Sequence, residues 1–297
     1  MAEKVGVVGV GLMGSAMSVN LMEAGFEVHG YDVDPARMRE LEGNGGTAAA
    51  SPAGAARGAR LVVLSLMHSG IVREVCLGPE GIAEAAEPDL LVIDTTTARP
   101  EDSVAIAEEL AARGVAFIDA SLSGSSAAVR ERNMVAMVGG EAAHFERARP
   151  VLDAVARSIH HLGPVGAGAR TKLIVNLVLG LNRLALAEGL VLGMKMGMDP
   201  ETLLGVLKDG AAYSKAMDNR GGRMIRGDYF DRPQSRIRQH RKDIGLMLEQ
   251  GQRYGSPMLL TSVMGQVAQA AEEGGLAEGD ISAIIEVLRR LGGIPSS

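Results

Sequence analysis

Lys172 and Asn176 stand four residues apart in the run "GAGARTKLIVNLVLGL", surrounded by Leu173, Ile174, Val175, Leu177, Val178 and Leu179. On a helix that spacing puts the two polar groups on one face. Gly180, one turn further along that face, is expected to leave space above them. A lysine drawn out of water has a depressed pKa and can exchange a proton with an alcohol, while an asparagine can fix a hydroxyl. The competing reading is a lysine snorkelling from the first turn of a helix and an asparagine packed at a helix contact. Spacing alone leaves the two level.

A second constellation lies near the start, in "VGVVGVGLMGSAM". Gly9, Gly11 and Gly14 sit between a β-branched run, Val5 to Val8, and a helical pattern from Ser15 to Glu23 that stops at Gly25. Three glycines at this spacing are weak evidence, because glycine turns are common. The context is more specific: a second strand follows from Glu27 to Tyr31, and Asp32 lies 18 residues after Gly14. A dinucleotide needs each part. Gly9 makes the turn, Gly11 admits backbone to a pyrophosphate, and Gly14 lets helix rest on strand. Leu12 and Met13, between the glycines, are expected to touch the cofactor, the N-terminus of the helix that follows favours phosphate charge, and Asp32 meets the adenosine ribose hydroxyls. A purely structural βαβ turn is the alternative. With Asp32 and Asp34 at the ribose edge, a 2′-hydroxyl is favoured over a 2′-phosphate, so NAD is expected and NADP less so.

These groups need a scaffold, and its pattern is legible. Strands are expected at 59–67, ending in Met67 beside the cofactor, and at 89–97, 115–124 and 133–140. Helices fall between them: "SGIVREVCL", 101–114, and one running to about Ser158, before "IHHLG" at 159–163. Such alternation predicts a doubly wound, mostly parallel α/β sheet of Rossmann type with helices on both faces. From Pro164 onward only helical runs remain, separated by Gly, Pro and Asp. The first, from about 169 to 196, would span roughly 40 Å at 1.5 Å per residue. The expected division is therefore residues 1–163, an NAD-binding domain, and 164–297, an all-helical domain for substrate and oligomerisation. No internal repeat or low-complexity tract appears, and the alanine-rich stretch 47–59 comes closest.

Composition narrows the function classes. Net charge is −6 over 297 residues, which gives no basic surface for nucleic acid and no polybasic segment for anionic lipid. Four Phe, four Tyr and no Trp leave no stacking platform for bases. The single cysteine, Cys76, excludes an intramolecular disulfide and a cysteine-rich metal site, so a core position and a reducing cytoplasm are expected, with no metal. A strand beginning by Val5 leaves no room for a signal peptide. The longest apolar stretch, Leu173 to Leu192, is interrupted by Asn176, Asn182, Arg183 and Glu188, and reads as a buried helix rather than a membrane span. His68 follows the third strand, either bordering the cofactor or on a surface loop. His160 and His161 lack metal-ligand spacing, and sixteen methionines at helical spacing read as core filling.

Four segments, in order, resemble the β-hydroxyacid dehydrogenase family: "GVGLMGSAM" at 9–17, "DTTTARP" at 94–100, "DASLSGSSAAV" at 119–129 and "GAGARTKLIVN" at 166–176. "RKDIGL" at 241–246 and "GDISAIIEVL" at 279–288 extend the likeness over nearly the whole chain. The resemblance implies a nicotinamide-linked oxidoreductase for a small 3-hydroxy acid, with Lys172 as general acid/base and Asn176 holding the substrate hydroxyl or carboxylate region. It implies that Ser123 and Gly124 bind the substrate carboxylate, that Thr96 lies near the nicotinamide ribose and Lys242 over the cofactor, and that helical domains pair into a homodimer or homotetramer. Imine reduction, which shares the architecture but generally lacks the lysine, and a catalytically silent dinucleotide-binding module are the competing functions.

The departures bear on substrate. Ser121 replaces a usual proline, Ser125, Ala128 and Arg132 replace usual glycines, and Val175 stands where a second asparagine is usual. Where NADP users tend to carry an Asn-Arg pair, this chain has Asp32 and Val33. The largest change is "RPQSRIRQHRKD" at 232–243, which holds Arg236, Arg238, His240 and Arg241 in place of apolar residues. Ser235, Arg238 and Lys242 fall on one helical face while His240 and Arg241 point elsewhere, so Arg238, together with Ser125, is expected to bind a second anionic or strongly polar group of the substrate. A solvated face, or a contact with a second subunit, is the alternative.

Overall fold

The structure is a computed structural model that describes residues 2–295 and divides into two compact units, residues 1–172 and 173–297. The first alternates strand and helix: β1 (Lys4–Val8), α1 (Leu12–Glu23), β2 (Glu27–Tyr31), α2 (Pro35–Gly43), β3 (Thr47–Ala48), α3 (Pro52–Ala56), β4 (Leu61–Leu64), α4 (Ser69–Leu77) and β5 (Leu91–Asp94). It continues through α5 (Pro100–Ala111), β6 (Ala116–Ser123), α6 (Ser126–Arg130), β7 (Met134–Gly139), α7 (Ala142–Asp153) and β8 (Ala156–His161).

The eight strands form one sheet in the order β3-β2-β1-β4-β5-β6-β7-β8. All pairs are parallel except β6 with β7, so the sheet is doubly wound and mostly parallel. Its alternating residues feed two cores, one on each face. Val5, Val7, Leu61 and Val63 pack with Met17 and Leu21 of α1, whereas Val8, Val62 and Leu64 pack with Val72 and Cys76 of α4 and Leu110 of α5. The chain order reverses between β1 and β4, and the crevice at the carboxyl ends of such strands is where ligands bind in open α/β sheets.

One local expectation changes. The helix before residue 159 ends at Asp153, and Ala156–His161 instead form β8, whose backbone groups pair with β7 beside a register shift at Met134/Val135. The alanine-rich stretch is ordered. It holds β3 and then α3, with Ser51 accepting from the Gly54 amide as N-cap and Pro52 in the first turn.

Helix α8 (Ala167–Lys195) begins in the first unit and carries the chain into the second, which contains α9 (Pro200–Asp209), α10 (Gly222–Arg226), α11 (Ile237–Arg253), α12 (Leu259–Ala271) and α13 (Ile285–Leu291). Its core gathers Leu184, Ala187 and Leu190 of α8 with Ile244 and Met247 of α11 and Met264 and Ala268 of α12. Among the described residues α8 is the one helix long and apolar enough to cross a membrane by length and composition. The expectation that this apolar stretch is buried is corrected. Only 28% of its most apolar window is buried, and Ile174, Val178 and Leu192 are exposed. A helix that is apolar all round cannot turn every side toward one core.

Candidate active site

The glycine turn is built as steric demand requires. Gly9 has φ +89°, and a Cβ there would lie 2.3 Å from Ser65 O. At Gly14 a Cβ would lie 1.9 Å from Gly9 O, so helix α1 could not rest on the turn. Gly11 differs, because a Cβ there meets nothing within 4 Å. That open space lies at the N-cap of a 12-residue helix with no side-chain cap and no acid in its first turn. Unclaimed amides, a positive helix end and a cradle that a side chain would fill suit a pyrophosphate. At the end of β2 the Asp32 carboxylate accepts from Val10 N at 2.7 Å and Asp34 N at 2.9 Å, which fixes it against the turn. The residues present therefore fit a dinucleotide. Leu12 is half exposed, Met13 packs partly on the core, and Asp34 caps α2 through Ala36 N.

The neighbouring strand ends are laced together. Thr96 is buried, and its hydroxyl accepts from Leu66 N at 3.1 Å. The Thr96 amide donates to Asp94 and its carbonyl accepts from the Ser121 hydroxyl. Met67 is half exposed beyond β4, and His68 caps α4 by accepting from Ile71 N. Burial, followed in register by the charge of Asp119 on β6, pushes Asp94 up to about 7.

Lys172 is buried, and its Nζ donates to Leu122 O at 2.6 Å. The ammonium group thus lies against the end of β6, from which the chain runs directly into Ser123, Gly124 and Ser125. Gly124 has φ +147°, and a Cβ there would strike Met134 Sδ. Ser125 caps α6 by accepting from Ala128 N. The start of the helix that carries Lys172 is held by a carboxylate to which the sequence alone assigns no role. Asp119, in the middle of β6, accepts from Gly166 N through Oδ1 and from Ala169 N through Oδ2, both at 2.6 Å. It satisfies amides at the start of α8 and puts a carboxylate at the positive end of the helix. Gly139 and Gly168 leave room for it, since Cβ atoms there would lie 2.5 and 2.8 Å from its oxygens. Burial raises its pKa, against which both amide bonds act. The one available signal was an acid inside the apolar strand "FIDASL".

In the second unit Asn176 donates through Nδ2 to Asp243 Oδ2 at 3.0 Å, and Lys242 pairs with Asp243 Oδ1 at 3.2 Å. The amide nitrogen being committed to a carboxylate fixes the orientation of the side chain. The space expected at Gly180 is filled. A Cβ there would lie 2.6 Å from Met264 Sδ and 2.9 Å from the His240 ring. His240 is buried, and burial followed by the Arg183 charge depresses it to about 3, so it stays neutral. Arg238 lies 2.8 Å from Glu278, Arg236 also pairs with Glu278, and Arg241 pairs with Glu272. The Arg238 side chain is 47% exposed and paired with Glu278, which favours the solvated face over the expected substrate contact.

Comparison with known proteins finds two family matches along the chain. Residues 4–163 match the family described as the NAD binding domain of 6-phosphogluconate dehydrogenase. Residues 166–288 match the family described as NAD-binding of NADP-dependent 3-hydroxyisobutyrate dehydrogenase. The chain is 32% identical to 2-(hydroxymethyl)glutarate dehydrogenase of Eubacterium barkeri, covering 99% of this chain and 97% of that one. It is also 32% identical to L-threonate dehydrogenase of Cupriavidus necator, over 97% and 96%. Among solved structures, 3-hydroxyisobutyrate dehydrogenase of Salmonella typhimurium superposes with a TM-score of 0.88 at 30% identity, over 96% of this chain and 99% of that one. Imine reductases, including one from Pseudomonas at 19% identity and TM-score 0.64, share the fold alone.

Proposed function

Because this chain belongs to the β-hydroxyacid dehydrogenase family, an oxidoreductase family with a nicotinamide-dinucleotide domain, we propose that it interconverts a small 3-hydroxy acid and the matching carbonyl acid with NAD, using Lys172 as general acid/base. The observation that carries the reading is the Lys172 ammonium lying on Leu122 O, one residue before Ser123 and Gly124, at the head of a helix tied to the sheet by Asp119.

The cofactor, when bound, supplies a hydride acceptor at nicotinamide C4 for oxidation and a donor for reduction. The chain does the rest. In oxidation the neutral Lys172 amine takes the proton from the substrate hydroxyl and becomes the ammonium, which returns that proton in reduction, with Leu122 O fixing the position of Nζ. Ser123 Oγ and the Gly124 amide bind the substrate carboxylate, and Ser125 adds a hydroxyl beside them. Asn176, oriented by Asp243, holds the reacting hydroxyl. The helix α1 terminus with Leu12 and Met13, and the space at Gly11, take the pyrophosphate. Met67, Thr96 and Lys242 border the nicotinamide half. NAD is preferred because the fixed Asp32 carboxylate accepts from a ribose 2′-hydroxyl and repels a 2′-phosphate.

Relatives named for 2-(hydroxymethyl)glutarate, L-threonate and 3-hydroxyisobutyrate define the substrate range to test. We place the reaction in the cytoplasm, supported by a single buried cysteine whose thiol pKa burial pushes up. Self-association through the helical unit is supported by exposed Ile174, Val178, Leu259 and Leu260.

A screen of hydroxy acids with NAD and NADP, followed at the nicotinamide absorbance, tests the reading together with Lys172→Ala. The variant should lose at least about 10²-fold in kcat with NAD affinity unchanged. Near-normal turnover without Lys172 would remove the mechanism, and a higher kcat/KM with NADP would remove the cofactor assignment.

A further inference from the structure

Asp94 closes strand β5 and is only 1% exposed, so it can act on a ligand only through a neighbour. That neighbour is Thr96. The Thr96 amide donates to Asp94 Oδ1 at 2.9 Å, and the Thr96 side chain makes a second hydrogen bond with the same carboxyl group. The Thr96 hydroxyl also accepts from Leu66 N, two residues beyond the end of β4, and the Thr96 carbonyl accepts from the Ser121 hydroxyl on β6. One buried acid thus joins three neighbouring strands through a single threonine.

A threonine hydroxyl has one proton and two lone pairs. Leu66 N takes one lone pair, which leaves the proton and the other lone pair to be shared between Asp94 and whatever lies on the open side of the hydroxyl. An ionised carboxylate only accepts, so it takes the proton and turns a lone pair outward. A neutral carboxyl group can donate, which occupies that lone pair and turns the Thr96 proton outward. The surroundings allow both states. Two titratable groups face Asp94, Asp119 in register on β6 and the Cys76 thiol of α4, and neither is a cation; β4 offers Leu64 in register. Burial, opposed by the two Thr96 bonds and aided by the Asp119 charge, pushes Asp94 up to about 7, so both forms are populated near neutral pH.

We propose that Asp94 is a positioning residue for the cofactor, whose ionised carboxylate draws the Thr96 proton inward so that the hydroxyl accepts from a hydroxyl of the nicotinamide ribose, and whose neutral form reverses that polarity. A hydroxyl that gives its proton to a carboxylate is the better acceptor, so binding selects ionised Asp94. The sign follows: binding lowers the Asp94 pKa, the acid loses its proton to solvent, and affinity falls as pH drops through the folded value of about 7. This rests on the placement of Thr96 at the nicotinamide ribose in the reading above, but it is measured by binding and needs no turnover.

The test is calorimetric titration of the full chain with ADP-ribose, which keeps the second ribose and omits the nicotinamide charge, in buffers of differing ionisation enthalpy. Binding should release protons at pH 7 and far fewer at pH 8.5, where Asp94 is already ionised, and affinity should fall at least about threefold from pH 8.5 to pH 5.5. Asp94→Asn, with its oxygen on the Thr96 amide, offers an N–H to the hydroxyl and so imitates the neutral acid. It should lose the proton release and bind at every pH within twofold of the wild-type affinity at pH 5.5. Thr96→Val should lose the release as well, Thr96→Ser should keep it, and adding Asp94→Asn to Thr96→Val should change affinity by less than twofold. An acid that only braced the strand ends would show no release on binding. Its absence in wild type, or its survival in Asp94→Asn, overturns the proposal and leaves the oxidoreductase reading standing. Failure of ADP-ribose to bind overturns both. Release that Asp94 controls, without turnover of any hydroxy acid, would uphold the positioning role and sink the oxidoreductase reading.

Discussion

Asp119→Asn isolates the anchor that places Lys172. The carboxylate makes two bonds of 2.6 Å to amides at the start of α8, and hydrogen bonds to charged groups contribute about 1.5–3 kcal/mol each. Asparagine keeps one acceptor and turns N–H groups on the other amide, so one bond is lost and a donor faces a donor. The helix end also loses a neighbouring negative charge, which contributes about 0.3–1 kcal/mol. Against this, Asp119 is buried and its pKa is raised, so removing the charge relieves part of a desolvation penalty. A net loss of about 2 kcal/mol is expected, which for a unit of this size lowers Tm by about 4–8 °C. The same change loosens the helix start from which Lys172 reaches Leu122 O. A displacement near 1 Å can lower a rate by about 10²-fold, so kcat should drop at least tenfold while NAD affinity, held by the distant glycine turn, stays within twofold. Calorimetric unfolding and steady-state kinetics on the same preparation measure both quantities. An unchanged Tm together with wild-type kcat would refute the anchoring argument.

Asp94→Asn should stabilise the protein in a pH-dependent way. Its folded pKa is raised from 3.8 to about 7, so between those values the unfolded chain ionises first and stability falls as pH rises. The gain in Tm should therefore be larger at pH 8 than at pH 4.5, and an equal gain at both would reject the assigned burial effect. The glycines of the turn should separate by assay. Gly11→Ala enters open space and should leave Tm nearly unchanged while weakening NAD binding at least tenfold by fluorescence titration, whereas Gly14→Ala, 1.9 Å from Gly9 O, should lower both. A Gly11→Ala protein that binds NAD normally would mean the pyrophosphate lies elsewhere.

The parts legible in the sequence are those whose cause is local. Strand, glycine turn, helix, strand and Asp32 follow one another within residues 5–32, and each residue type answers to the backbone beside it. The parallel α/β order and the helical second half follow likewise from period and from the placement of Gly and Pro. The shared face of Lys172 and Asn176 is helix geometry and needs no partner. What lay beyond reach was decided by contacts between elements distant in the chain. Asp119 meets Gly166 across 47 residues, and nothing near "FIDASL" names those amides as its targets. The opening expected above Gly180 is occupied by His240 from α11 and Met264 from α12. Arg238 has the expected helical phase with Lys242, yet its charge is met by Glu278, which lies beyond the end of α12. A helical period says which way a side chain points. Only packing sets what stands in front of it, because a charge or a cavity is satisfied by whichever group the folded chain brings near, whatever its distance in sequence.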